Sequence, residues 1–293
     1  MTIPKMKHTP ISLIECPRDA MQGIAEFIPT EVKLKYLRQL IKVGFSAIDF
    51  GSFVSPKAMP QMRDTAELLD GLGDTSEHEL IAIVANLRGA EDAISFPQIT
   101  HLGFPLSISE IFQQRNTKKN TDAAWQVVER LQAMVVNHQK KLIVYLSMAF
   151  GNPYEEPYQP SLLRAFIERL RNIGVETIMI SDTIGAASPD LIKEVFSQYI
   201  PQYPQLEIGT HLHATPVHQK EKIMAALQSG VRRFDGAIGG YGGCPMAKEE
   251  LTGNLDTLQL IHCLKDQDVN LALDEQALAK AKQLNQEIFN QYL

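Results

Sequence analysis

Cysteine is scarce in this chain of 293 residues: Cys16, Cys244 and Cys263 make three, an odd number with no C-x-x-C pair. That count excludes a disulfide framework or a zinc-knuckle fold and fits a reducing compartment. No stretch approaches the ~20 consecutive apolar residues of a membrane helix, so a membrane is not an expected partner. The N-terminal MTIPKMKHTPIS reaches no apolar run of secretory-signal length before Glu15, and the final NQYL is not a peroxisomal tail, so a cytoplasmic location is expected. A surplus of positive charge is also missing. Lys plus Arg number 28 against 34 Asp plus Glu, a net charge of -6, which would repel a phosphate backbone and removes nucleic acid as a default partner. What is present is ordinary globular material, 44% hydrophobic and 21% charged, enough for a sizeable core. No Pro/Gly/Ser-rich linker divides it, so residues 1–293 read as a single domain.

Short apolar runs alternate with longer segments of helical period, the signature of repeated βα units. Eight runs read as strands: residues 11–16, 46–50, 80–85, 99–103, 142–147, 177–181, 208–213 and 232–237. Between them, Val127, Val128, Leu131 and Val135, and again Leu163, Phe166, Ile167 and Leu170, recur at helical spacing. Thr30 before Glu31 reads as a helix N-cap, as does Ser188 with Pro189 at the first turn. Eight such units predict an α/β fold: one (β/α)8 TIM barrel over about residues 11–265, with an extra C-terminal helix within about 270–293. A doubly wound sheet is the alternative, but the first turn reads CPRDAMQG and lacks G-x-G-x-x-G.

In a barrel, chemistry gathers where strands end at their carboxyl side. The first strand runs into Cys16, Pro17, Arg18 and Asp19, and the second into Asp49, Gly51 and Ser52. The seventh ends in His211-Leu212-His213. Strand alternation puts the two histidines on one face, about 7 Å apart along the strand. If that face is the lumen, both imidazoles reach one ion, and Asp19, two strands away across the eighth, supplies an oxygen. Such an O/N set without thiolate favours Mg²⁺ or Mn²⁺ over structural zinc. The competing reading is a pair of hydrogen-bonded polar residues.

Gly239 to Pro245 holds four glycines in seven residues. It reads either as a loop needing positive φ angles or as a lid carrying Cys244 over the pocket. Arg18 beside Asp19 reads as a salt bridge, or as a cation placed to hold a carbonyl or developing enolate oxygen. Asp182 either supports a ligand or caps a turn. Asn254 equally reads as a helix cap. Arg115, Lys118 and Lys119 read as a solvated loop or as holders of ligand phosphates. Cys16 could face the lumen, and Cys263 reads as core.

Taken together, ECPRDAMQ, SFVSPKAMPQMRDT, SISEIF, FGNPYEEP, SDTIG, HLHAT and GGYGGCPMAKEELTGNLDT resemble the 3-hydroxy-3-methylglutaryl-CoA lyases, within the metal-dependent barrel lyases and Claisen-type synthases. These segments lie in the family's order from about residue 15 to 260. The resemblance implies a divalent cation, Mg²⁺ or Mn²⁺, held by Asp19, His211, His213 and Asn254. It also implies catalytic roles for Arg18, Asp49 and Cys244, substrate contacts from Arg18, Gln22, Ser52 and Asn116, an acyl-CoA substrate and a homodimer. The implied reaction is retro-Claisen cleavage to acetyl-CoA and acetoacetate, with Arg18 on the enolate-like oxygen and Cys244 as acid/base group. Three positions depart from the family pattern: Asp49 replaces a common Glu, Ala214 replaces the Asp of HCHDT, and Ala25 replaces a lysine that often contacts CoA. The alternatives are a condensing synthase joining acetyl-CoA to a 2-oxo acid, a barrel metal hydrolase of the amidohydrolase kind, and a catalytically silent binding barrel.

Overall fold

The computed structural model describes residues 10–73, 75–243 and 252–293. Eight parallel strands close in sequence order into a barrel. They are β1 Ser12–Glu15, β2 Ala47–Ser52, β3 Glu79–Ile83, β4 His101–Ser107, β5 Lys141–Ser147, β6 Thr177–Asp182, β7 Glu207–Leu212 and β8 Arg233–Gly236. Parallel β1–β8 and β7–β8 pairings complete the ring, so β8 alone separates β7 from β1. All eight strand expectations are met.

The helices form an outer layer: α1 Pro17–Met21, α2 Thr30–Val43, α3 Thr65–Leu72, α4 Leu87–Ile94, α5 Glu110–Thr117, α6 Thr121–Asn137, α7 Ser161–Asn172, α8 Pro189–Gln202, α9 Gln219–Gln228, α10 Thr257–Lys265 and α11 Glu275–Tyr292. The last is the expected extra helix, capped where Asp274 accepts from Ala277 N at 2.8 Å. Ser188 caps α8 as read, accepting from Leu191 N with Pro189 in the first turn. Thr30 does not cap α2. Pro29 occupies the N-cap, and the Thr30 hydroxyl donates instead to Asp64 at 2.8 Å, where the same carboxylate receives the buried Lys33 ammonium at 2.7 Å. A buried charge pair there competes for the hydroxyl more strongly than an orphan backbone N–H does.

Strands read as near-continuous apolar runs because both faces are covered. Outward residues such as Leu13, Phe50, Leu102, Val144, Ile178 and Phe234 join the helix–barrel core, in which Cys263 is also buried. Inward residues form a separate cluster filling the lumen: Ile14, Cys16, Ala47, Ile81, Ile83, Ile143, Tyr145 and Met179. The lumen is therefore plugged below the rim, and polar groups at the strands' carboxyl ends stand on an apolar floor. Among the described residues no helix is long and apolar enough to cross a membrane.

Candidate active site

The one-turn helix α1 follows β1 directly and holds Arg18 and Asp19 over the barrel mouth, both more than nine-tenths buried. Arg18 is fully engaged. Its Nε donates to both Asp49 oxygens at 3.1 Å, its Nη2 donates to Asp49 Oδ2, and its Nη1 donates to Asp19 Oδ1 at 2.9 Å and Gln22 Oε1 at 2.8 Å. Gln22 returns its amide N–H to Asp19 Oδ1 at 2.7 Å, while Asn254 Nδ2 donates to Asp19 Oδ2 at 2.7 Å. Burial would weaken the Arg18 charge, but Asp49 and Asp19 outweigh it and keep the guanidinium protonated. Burial also opposes the Asp19 carboxylate, yet Arg18, His211, His213 and Asn254 together lower it to about 2. Asp49 goes the other way: burial raises it to about 6 against the pull of Arg18.

Across β8, the two histidines turn toward one another. Their Nε2 atoms are 3.2 Å apart, while His211 Nδ1 lies 3.0 Å from Asp235 Oδ2 and His213 Nδ1 lies 3.0 Å from the Thr183 carbonyl oxygen. A carbonyl can only accept, so His213 carries its proton on Nδ1, and the carboxylate sets the same tautomer for His211. The two Nε2 atoms then face each other at hydrogen-bond distance beside an ionised carboxylate. A proton shared between the rings or a bound cation suits that arrangement, and Asp19, His211 and His213 offer ligand atoms all within 4.8 Å of one another. One carboxylate and two imidazoles, with Asn254 hydrogen-bonded to the carboxylate, are a donor set that fits a divalent cation. Burial and the neighbouring His211 lower His213 to about 4, while Asp235 overcomes burial to raise His211.

The described part of the glycine-rich segment begins beside this cluster. Gly242 has φ +97°, and a Cβ there would lie 2.6 Å from Asn254 Nδ2 and 2.7 Å from Asp19 O, so glycine is needed for the close approach. Tyr241 stacks on Phe289 of α11 at 3.8 Å. Cys244 lies outside the described residues.

A cavity of about 240 Å³ opens above these groups. Arg18, Asp19, Gln22, His211, His213, Asn116, Ser147, Ser181 and Thr183 bring polar atoms to it; Val54, Met59, Ile83, Pro105 and Phe112 supply an apolar wall. The structure thus gathers Arg18, Asp19, Gln22, Asn116, His211 and His213 at one cavity, with Asp49 and Asn254 bonded to members of the set. Ser52 is not among the lining residues. Its hydroxyl donates to Ile83 O and accepts from Val54 N, because the turn after β2 consumes it.

Other neighbours carried little signal in the sequence. Asp235 follows one position after outward-facing Phe234, and barrel alternation alone marks it as inward; one of its oxygens is buried without a partner. The Thr183 contribution is a backbone atom, invisible to any residue pattern. Lys222 of α9 donates to Asp182 Oδ2 at 2.8 Å, Gly185 O at 3.0 Å and His213 O at 2.9 Å, tying the β6 and β7 rims together. Asp182, read as ligand support or turn cap, also accepts from Ala186 N and Ala187 N. Arg115 stacks over Tyr154, and Lys119 is turned onto the carbonyls of Ala85 and Thr117. Cys16 lies in the lumen, where burial and then Asp235 push its thiol pKa up.

Comparison with known proteins converges on one group. A family model described as HMGL-like matches residues 13–284. The hydroxymethylglutaryl-CoA lyase YngG of Bacillus subtilis is 31% identical over 274 residues, covering 93% of this chain and 91% of that protein. The human mitochondrial hydroxymethylglutaryl-CoA lyase is 29% identical, covering 96% and 85%. Among solved structures, the B. subtilis HMG-CoA lyase superimposes with TM-score 0.90 at 29% identity, covering 99% of this chain and 96% of that one. An HMG-CoA lyase from Acinetobacter baumannii in complex with coenzyme A and 3-methylmalate gives 0.89 at 27% identity, covering 96% and 92%.

Proposed function

This chain belongs to the HMGL-like family, and on that premise we propose that it is a carbon–carbon lyase cleaving 3-hydroxy-3-methylglutaryl-CoA to acetyl-CoA and acetoacetate. The observation that carries the reading is the pair of His211 and His213 Nε2 atoms facing each other at 3.2 Å beside ionised Asp19, under a cavity that also presents Arg18. Asp19, His211, His213 and Asn254 are the proposed holders of a divalent cation, Mg²⁺ or Mn²⁺. When bound, such an ion supplies Lewis acidity that lowers the pKa of a substrate hydroxyl.

The chain's own groups set up the rest. Loss of the substrate's C3 hydroxyl proton lets the C2–C3 bond break: a carbonyl forms at C3, giving acetoacetate, and the bonding pair passes to C2 as the enolate of acetyl-CoA. Arg18, kept protonated and pinned by Asp49, provides a fixed positive charge for the enolate oxygen. Cys244 is the proposed acid that protonates C2. Val54, Met59 and Phe112 give the same cavity an apolar wall beside these groups.

The test is acetoacetate release from a panel of acyl-CoA thioesters, with and without chelator. Release from the hydroxymethylglutaryl thioester, abolished by chelator and restored by Mg²⁺ or Mn²⁺, is expected. Chelator-insensitive release, or no release from that thioester with added metal, refutes the proposal.

A further inference from the structure

The lumen beneath the catalytic cavity contains a thiol that the mechanism leaves unused. Cys16 is fully buried just after β1, packed with Ile14, Ala47 and Ile143, and among the described residues its sulfur forms no hydrogen bond. Two polar side chains nevertheless reach it: Cys16, His211 and Asp235 bring ligand atoms within 4.8 Å of one another. Asp235 is 3% exposed, and the oxygen that His211 does not take is buried without a partner. A carboxylate oxygen left without a donor in an apolar lumen is unfavourable unless a proton or a cation meets it.

The field at this sulfur is negative. After burial, Asp235, Asp49, Asp19 and Glu15 all disfavour a free thiolate, and the same charges favour a cation, whose binding turns a thiol into a thiolate ligand. The donors also differ from those at the rim. Asp19, His211 and His213 offer oxygen and nitrogen, whereas Cys16 adds sulfur, which selects Zn²⁺ or Cd²⁺ over Mg²⁺ and Mn²⁺. Zn–S bonds of ~2.3 Å and Zn–N or Zn–O bonds of ~2.0–2.2 Å are within reach of donors so spaced after small side-chain adjustments. His211 belongs to both groups and lines the cavity, so an ion entering from the cavity meets it first. Its Nδ1 faces Asp235 and its Nε2 faces His213. A neutral imidazole has one unprotonated nitrogen, so a cation on the Asp235 side and one on the His213 side compete for the same ring.

We propose that Cys16, Asp235 and His211 form a second, lumenal cation site for Zn²⁺ or a similar thiophilic divalent ion, and that its occupation withdraws His211 from the rim site and inhibits turnover. The inhibition rests on the reading of Asp19, His211 and His213 as cation ligands, whereas the thiolate site does not. Binding forms a metal–sulfur bond and releases the Cys16 thiol proton to solvent, with no change of oxidation state.

The test adds Cd²⁺ to the full chain carrying Cys244→Ser, so that only Cys16 and Cys263 remain as thiols, and follows the ultraviolet charge-transfer absorption of a Cd²⁺–thiolate bond. The absorption should saturate at one Cd²⁺ per chain and be lost when Cys16→Ser or Cys16→Ala is added, each checked for an unchanged melting curve. Asp235→Asn in the same background should need ~10-fold more Cd²⁺, the least that losing a carboxylate beside a ligating histidine costs. Saturating Mn²⁺ should raise the Cd²⁺ midpoint. In Mn²⁺-supported turnover, Zn²⁺ should inhibit the wild type at concentrations that leave Cys16→Ser and Cys16→Ala active, and both variants should keep wild-type turnover without Zn²⁺. No absorption, absorption that survives loss of Cys16, an unmoved midpoint in Asp235→Asn, or equal Zn²⁺ inhibition in the Cys16 variants overturns the site. A midpoint indifferent to Mn²⁺ overturns the sharing of His211. If the absorption depends on Cys16 and Asp235 but no thioester is cleaved, the lyase reading fails and the lumenal site stands.

Discussion

Asp235→Asn tests the reasoning about the histidine pair most directly. The Asp235 carboxylate is 3% exposed, accepts from His211 Nδ1 at 3.0 Å, and leaves its other oxygen buried without a partner. An asparagine keeps the shape but removes the charge, and it has two orientations. With its oxygen on His211, the tautomer survives, but a buried amide N–H is left where no acceptor stands. With its nitrogen on His211, the ring must place its proton on Nε2, directly opposite His213 Nε2 at 3.2 Å, and the lone pair needed by a cation is lost. Either orientation weakens cation binding. Loss of a hydrogen-bonded carboxylate behind a ligating histidine typically lowers metal affinity by ~10–100-fold, or ~1.4–2.7 kcal/mol. Mn²⁺ titration followed by calorimetry should show a Kd raised by that range, with circular dichroism retained. An unchanged Mn²⁺ Kd, whatever the effect on turnover, would refute the claim that Asp235 acts by orienting His211.

Three further outcomes follow from the same geometry. Cys244→Ser should cut turnover by ~10²–10⁴-fold while Mn²⁺ affinity and the melting curve stay put, and wild-type turnover would end its role as acid. Lys222→Met leaves Asp182 buried without its cation and should cost ~3–5 kcal/mol in denaturant unfolding, partly recovered in Lys222→Met/Asp182→Asn; no recovery would mean that the ion pair is not the cause. Glu15, buried between the Ile238 N–H and the Thr257 hydroxyl, is raised by burial from 4.5 to about 8. The folded chain therefore holds a proton that the unfolded chain releases, and this group lowers stability as pH rises from about 4.5 to about 8, by up to ~1.4 kcal/mol per unit, with no further change above. Glu15→Gln should flatten that slope in urea titrations, and an unaltered slope would locate the dependence elsewhere.

Much of the site was legible because barrels turn sequence order into spatial order. Once eight βα units are counted, Arg18 with Asp19, Asp49, and His211 with His213 must all arrive at one rim, as they do. Helix boundaries were readable where a side chain serves only its own helix, as Ser188 and Asp274 do. Thr30 misled because its hydroxyl serves Asp64, a partner 34 positions away that no local pattern registers. Ser52 lines a neighbouring cleft rather than the cavity, with its hydroxyl bonded to Ile83 O and Val54 N, a placement set by the turn after the strand.

The order and period of residues determined that the chain forms alternating strands and helices, that they close on themselves, and that one end of the closed sheet collects the carboxylates, the guanidinium and the imidazoles. Folding decided what each histidine nitrogen faces. That choice belongs to a backbone carbonyl at Thr183 and a carboxylate on the last strand, both brought close only by closure of the ring. It also decided that Arg18 is spent on two buried acids, Asp49 and Asp19, rather than left exposed at the rim. Local sequence encodes periodicity and side-chain chemistry, whereas protonation and charge pairing depend on distances of a few ångströms between segments far apart in the chain.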